Sequence, residues 1–290
     1  MQYIVGIDCG SGFTKAVVVG DEEPEGRPVV LGHAIVRSGV NIEESARLAQ
    51  IGALKAAGLP ETKTAYVAAT GFGRYGVAFR DIQITEITSG AQGAYYLHPE
   101  TTVVLDIGSQ STRAVAVKEN GKVRAFKTND KCAAGSGSFI QRAAKYLEVR
   151  IEEVGEMALR ATNPQPISSV CAVLAESEII NLVSTGSTVE DIMNGIYQSL
   201  ADRAALLLKR VGIDNQLVFI GGVATQAGMV RALEQRLKVP VTVPQDCEFV
   251  CALGAALLGA KRLRKSRPGV DPIHTGNHRL YETGPRLEML

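Results

Sequence analysis

The chain has 290 residues, 46% of them apolar, a net charge of +1 and five cysteines. The near-neutral balance excludes an electrostatic case for nucleic acid or a membrane surface as partner, and an odd number of widely spaced cysteines excludes a disulfide framework. The length carries two compact lobes rather than one small core. No signal-peptide pattern precedes the first strand and no apolar run reaches the roughly 18 residues of a membrane span, so a cytoplasmic location is expected. "YIVGIDC" (residues 3–9) is an apolar run that stops at glycine and serine, a strand entering a tight turn; "TKAVVVG" (14–20) resumes as its hairpin partner, and "PVVLGHAIV" (28–36) supplies a third strand. "NIEESARLAQIGALKAAGL" (41–59) carries Ile42, Ala46, Ala49, Ala53 and Ala56-Ala57 at helical spacing, with Asn41 as N-cap and Gly58-Leu59-Pro60 as the stop. "TAYVAAT" (64–70) is the next strand and "GFGRYG" (71–76) a loop.

From Thr102 the pattern restarts: strand, turn and strand again, then "KVRAFKTND". "CAAGSGSFIQRAAKYLEV" (132–149), "IEEVGEMALRA" (151–161) and "CAVLAESEIINLVSTG" (171–186) follow, the first and last each setting a cysteine before a helix. Ile192, Ile196, Leu200, Ala204, Leu207 and Leu208 form one stripe of a long amphipathic helix. "QLVFIGGVATQAG" (216–228) is a strand ending in a glycine turn that opens a helix, "PVTVPQD" a short strand, and "CALGAALLGAKRLRK" (251–265) the closing helix. Its basic end reads as a solvated helix end and linker. Beyond Ser266 there are prolines and no periodicity, the mark of a meandering tail.

The restart is an internal repeat. "GIDCGSGFTKAVVV" and "LDIGSQSTRAVAV", 98 residues apart, match at Asp8/Asp106, Gly10/Gly108, Ser11/Ser109, Thr14/Thr112, Ala16/Ala114, Val17/Val115 and Val19/Val117, with Lys15 facing Arg113. A turn of small residues exposes successive backbone N–H groups that bind phosphate oxygens, and Gly10, Gly12 and Gly108 allow close approach. Ser11 and Ser109 add hydroxyl donors and Lys15 a positive charge. Asp8 and Asp106, at strand ends, suit a hydrated magnesium ion or the orientation of water. Two such hairpins clamp a nucleotide's phosphates, and the Gly221-Gly222 turn serves base and ribose. No Walker loop or dinucleotide fingerprint occurs.

The arrangement "GIDCGSGFTK … LDIGSQS … FIGGVA … ALGAALLGA" resembles the superfamily of sugar kinases, heat-shock chaperone ATPases and actin. The resemblance implies an α/β fold of duplicated ribonuclease-H-like lobes with ATP between them: residues 1–100 with 250–264 as one lobe, 101–249 as the other, and 265–290 as an extension. Within it, "KCAAGSGSF" and "CAVLAESEII" resemble the activator ATPases of 2-hydroxyacyl-CoA dehydratases and the ATPase subunits of benzoyl-CoA reductase. By that resemblance Cys132 and Cys171 hold one [4Fe–4S] cluster between two subunits, related or identical. The chain-count agrees: four thiolates need two chains.

The resemblance further implies that Ser11, Gly12, Phe13, Thr14, Lys15, Gln110, Gly221 and Gly222 contact ATP or ADP with Mg2+, that Gly135, Ser136 and Gly137 lie near the phosphates, and that Glu248 is a looser nucleotide contact. Asp106 is the first candidate and Asp8 the second for positioning the attacking water. Cys9, Cys247 and Cys251 are read as core, and Glu176 and Glu178 as dipole partners near a helix end. The implied function is ATP-driven transfer of single electrons from a ferredoxin to a partner reducing an aromatic acyl-CoA. The alternatives are a homodimeric dehydratase activator, a sugar kinase of the same fold and a chaperone-type ATPase.

Overall fold

Runs of Val, Ile and Ala bounded by glycine turns form the two sheets of the computed structural model, which describes residues 1–21, 26–129, 136–167, 172–214 and 216–266. Cys132, Gly135, Cys171 and the tail after Ser266 lie outside the described residues. In the first sheet β1 (Gln2–Cys9) and β2 (Phe13–Asp21) form the expected hairpin, followed by β3 (Val29–Arg37), β4 (Thr64–Thr70) and the two-residue β5 (Ile82–Gln83), in the order β3-β2-β1-β4-β5. In the second, β6 (Val103–Ile107), β7 (Thr112–Val117), β8 (Val123–Asn129), β9 (Leu217–Ile220) and β10 (Val241–Thr242) take the order β10-β9-β6-β7-β8. The repeat therefore extends past the hairpin. In both sheets the first strand pairs antiparallel with the second and parallel with a later one, β4 or β9.

Helix α1 (Ile42–Ala56) begins where Asn41 Oδ1 accepts the Glu44 amide at 3.1 Å, and ends before Gly58 at φ +68°. Its buried Ala46, Ala49 and Ala53 pack on Val5 and Ile7 of β1. The other face of that strand, Ile4, meets Ala252 and Ala256 of α8 (Val250–Lys265). On the second sheet, α3 (Gly137–Tyr146), α4 (Val154–Leu159), α6 (Val189–Val211) and α7 (Ala227–Leu237) bury Val103, Leu105 and Ile107. All six residues of the expected α6 stripe are buried. Helix α5 (Ala172–Ser184) packs beside α3.

One helix is absent from the sequence-based expectations. α2 (Glu86–Leu97) covers the second face of the second sheet, where Ala91 and Ala94 meet Val104 and Val115. It crosses α8 in a contact without room for side chains. A Cβ on Gly254 would lie 1.8 Å from the Ser89 carbonyl oxygen, and one on Gly93 2.2 Å from that of Val250. The two sheets thus meet through a middle layer made of α2 and α8. No helix among the described residues is long and apolar enough to cross a membrane.

Candidate active site

Strand alternation decides where the two aspartates point. Along β1, Ile4 and Gly6 face α8, so Asp8 continues that face. Along β6, Val104 faces α2, so Asp106 does the same on its own sheet. Both carboxylates consequently look into the middle layer, at the ends of strands whose hairpin turns open toward each other. Between them lies a cavity of about 710 Å³. It is lined by Asp8, Ser11, Gly12, Phe13 and Lys15 from the first hairpin and by Asp106, Gly108, Ser109 and Gln110 from the second. Gly137, Gly221, Gly222 and Glu248 also line it.

Not every expected residue reaches it. Thr14 is buried, with its hydroxyl 2.9 Å from that of Ser38, and does not line the cavity. Ser136 is buried at the N-cap of α3 with its hydroxyl 3.2 Å from that of Ser138, behind Gly137. Cys9, Cys247 and Cys251 are buried in the cores, and the latter two also border the cavity. Burial pushes the Cys9 thiol up to about 12 and that of Cys247 to about 11, with neighbouring carboxylates adding to both.

The hairpin partners of the two aspartates are cations in register: Lys15 opposite Asp8, Arg113 opposite Asp106. Their geometries differ. Lys15 Nζ stands 3.6 Å from Asp8 Oδ2. Arg113 Nη1 donates to Asp106 Oδ2 at 2.9 Å, and its Nη2 lies 3.5 Å from Glu86 Oε1. Burial raises the Asp106 carboxyl above the ordinary range against the pull of Arg113, with Asp8 adding to the rise. Burial also acts against the Arg113 charge, but Asp106 and Glu86 outweigh it and hold the guanidinium protonated.

Two glycines complete the duplication. Gly71 follows β4 at φ +89° and Gly221 follows β9 at φ +91°. A Cβ on Gly71 would sit 2.5 Å from Asp8 Oδ1, and one on Gly221 2.5 Å from Asp106 Oδ1. Each missing side chain makes the room in which a carboxylate stands. Gly71, Arg74, Glu86 and Arg113 all line the cavity and carry no role in the sequence reading. For Arg113 a signal existed, its alignment with Lys15 in the repeat. For Gly71 the sequence offered only a glycine directly after an apolar strand, and its place beneath Asp8 follows from the parallel pairing of β4 with β1.

Opposed hairpins with paired acids and a third glycine turn, on two sheets joined by crossing helices, define the actin- and hexokinase-like fold. Residues 5–259 match the BadF/BadG/BcrA/BcrD ATPase family, and the chain belongs to it. It is 38% identical over 264 residues to the activator of lactoyl-CoA dehydratase of Anaerotignum propionicum, covering 91% of this chain and 100% of that protein. It is likewise 38% identical over 271 residues to a subunit of the benzoyl-CoA reductase of Thauera aromatica, covering 91% and 95%. The solved activator of the 2-hydroxyisocaproyl-CoA dehydratase from Clostridium difficile, with ADPNP bound, superposes with a TM-score of 0.86 at 34% identity, over 94% of this chain and 100% of that one.

Proposed function

We propose that this chain is an ATP-hydrolysing electron-transfer subunit that takes single electrons from a ferredoxin and delivers them to an enzyme acting on a CoA ester. The carrying observation is a backbone tie at the cavity. The Gly137 amide donates to the Gly108 carbonyl at 2.9 Å and the Ser138 amide to that of Ser109 at 2.8 Å. The first turn of α3 is thereby bonded to the second phosphate turn, and Cys132 lies five residues before that helix. A nucleotide that moves residues 108–109 pulls on the segment bearing the thiol.

We read Cys132 and Cys171 as the ligands of an iron–sulfur cluster. Cys171 directly precedes α5, and α5 is bound to α3 by Arg142 Nε on Glu176 Oε1 at 2.6 Å. A helix N-terminus favours the thiolate, the form a cluster needs, and Cys171 is the one that directly precedes a helix. Cys132 and Cys171 would hold it together with the same pair from a second ATPase subunit. When bound, a [4Fe–4S] cluster supplies a one-electron carrier of low potential. Magnesium is served by one or two carboxylates beside phosphates and waters, a role open to Asp8 and Asp106. Ser11, Gly12, Lys15, Ser109 and Gln110 would hold the phosphates, Gly221, Gly222 and Glu248 the nucleoside, and Asp106 would orient the attacking water.

We assign the acceptor as an enzyme reducing an aromatic acyl-CoA, supported by the identity to the benzoyl-CoA reductase component of Thauera aromatica. The likeness to dehydratase activators, over the whole length of those proteins, favours a second reading as a homodimeric activator of a 2-hydroxyacyl-CoA dehydratase. Anaerobic purification tests the common part. About four irons per dimer are expected, and Cys132→Ala or Cys171→Ala should abolish the iron while ADP binding survives. A colourless protein that phosphorylates a sugar overturns the assignment. Co-purification from the native source with a second, unequal ATPase subunit separates the reductase reading from the activator reading.

A further inference from the structure

Glu86, the first residue of α2, has both carboxylate oxygens engaged by arginines, Arg74 from the turn after β4 and Arg113 from β7. Arg74 Nη1 donates to Glu86 Oε2 at 3.1 Å, and Arg113 Nη2 stands 3.5 Å from Oε1. The same Arg74 nitrogen donates to the Gly71 carbonyl at 2.9 Å, and Gly71 is the glycine packed under Asp8. Arg113 in turn holds Asp106. The chain of contacts runs from Asp8 through Gly71, Arg74, Glu86 and Arg113 to Asp106, along the floor of the cavity and from one sheet to the other. The side chains of Arg74, Glu86 and Arg113 are each 15–17% exposed, so the pairs are largely withdrawn from water and their geometry is fixed more tightly than that of surface pairs.

We propose that Glu86 is a positioning residue for ATP hydrolysis: it anchors Arg113 on Asp106 and, through Arg74, couples the water-orienting carboxylate of the second hairpin to the loop beneath the carboxylate of the first. The two sheets then present both aspartates to the nucleotide in one fixed relation, and a shift of residues 71–74 is passed to Asp106 through two ion pairs rather than through the backbone. This inference rests on the reading of the chain as an ATPase with Asp106 orienting water.

The test uses the full-length, anaerobically prepared protein with three variants: Glu86→Gln, Arg74→Gln and the double substitution. ATP-hydrolysis kinetics, ADP affinity by a fluorescent analogue and Tm are read together. For Glu86→Gln, kcat should fall roughly 10- to 100-fold, the scale of a displaced reacting group. KM and ADP affinity should stay within about threefold, because the interaction matters for orientation and not for ground-state binding. Arg74→Gln should lower kcat in the same way, and the double variant should be no slower than the slower single one, since both break the same chain. If Glu86→Gln does not fold, Arg74→Gln carries the test, since it leaves Arg113 on Glu86 and cuts only the link to the first sheet. Unchanged kcat in either variant overturns the proposal, as does a loss of kcat matched by equal losses of ADP affinity and Tm. Wild-type protein that binds ADP but hydrolyses no ATP removes the underlying reading, and the positioning role with it.

Discussion

Asp106 is a carboxylate held where burial favours its neutral form, against the pull of Arg113. The groups facing it are Arg113 from β7, Asp8 and Lys15 from the first hairpin, and Cys251 from α8. Replacing Arg113 by Met removes the opposing cation, so the carboxyl rises further. The ionised form is the one that orients water, so the acid limb of the kcat–pH profile should move to higher pH. Stability follows the same linkage. Because the folded carboxyl is raised above its unfolded value, the native state retains a proton that the unfolded chain has released, and stability declines as pH rises through the folded value. Asp106→Asn should flatten that decline in urea unfolding followed upward in pH from the ordinary carboxylate range, while hydrolysis falls by roughly 100- to 10,000-fold. At Gly71 and Gly221 the relevant quantity is space. Either one replaced by Ala must displace an aspartate and adopt an unfavourable φ, at about 1–3 kcal/mol. Urea unfolding should register that loss, and ADP affinity in the presence of Mg2+ should fall with it. Gly222→Ala, with nothing within 4 Å of its Cβ and φ outside the left-handed region, should leave the unfolding midpoint where it was.

At the scale of elements, the crossing of α2 and α8 explains both a strength of the fold and a gap in what the sequence discloses. The strands other than the two-residue β5, together with α1, α6 and α8, were legible because each buries a stripe or a run against a sheet, and the period of the apolar residues reports it. α2 buries Ser89, Gly90, Ala91, Gly93 and Ala94, a face of small residues. It packs backbone against backbone, so the pattern that marks an amphipathic helix is missing. The hairpins were legible for a different reason: a strand-end aspartate followed by glycine and serine is rare enough to be seen twice. The ion pairs on the cavity floor were not, since Arg74, Glu86 and Arg113 come from three separate elements and meet only in the folded chain. Gly254→Ala drives a methyl group into the Ser89 carbonyl and should cost at least about 2 kcal/mol in urea unfolding. Gly259→Ala, whose Cβ would lie 3.1 Å from the side chains of Ala68 and Ile4, should cost less, because side chains yield where backbone does not.

For the whole molecule, the repeat sets two similar sheets face to face through their aspartates, with unequal partners on the two sides. Lys15 is a single ammonium at 3.6 Å from its acid, a point charge on a long stem. Arg113 is a planar fork engaged by two carboxylates. The duplicated frame thus pairs one acid with a point charge and the other with a fork shared between two carboxylates. The two hairpin turns also touch: a Cβ on Gly12 would lie 2.3 Å from the Ser109 hydroxyl oxygen. A ligand bridging the hairpins therefore leaves by parting two surfaces that already meet, which lengthens its stay. Gly12→Ala wedges that seam ajar, and stopped-flow release of a labelled ADP should then be faster than from the parent protein, a change in dwell time that equilibrium affinity alone would understate.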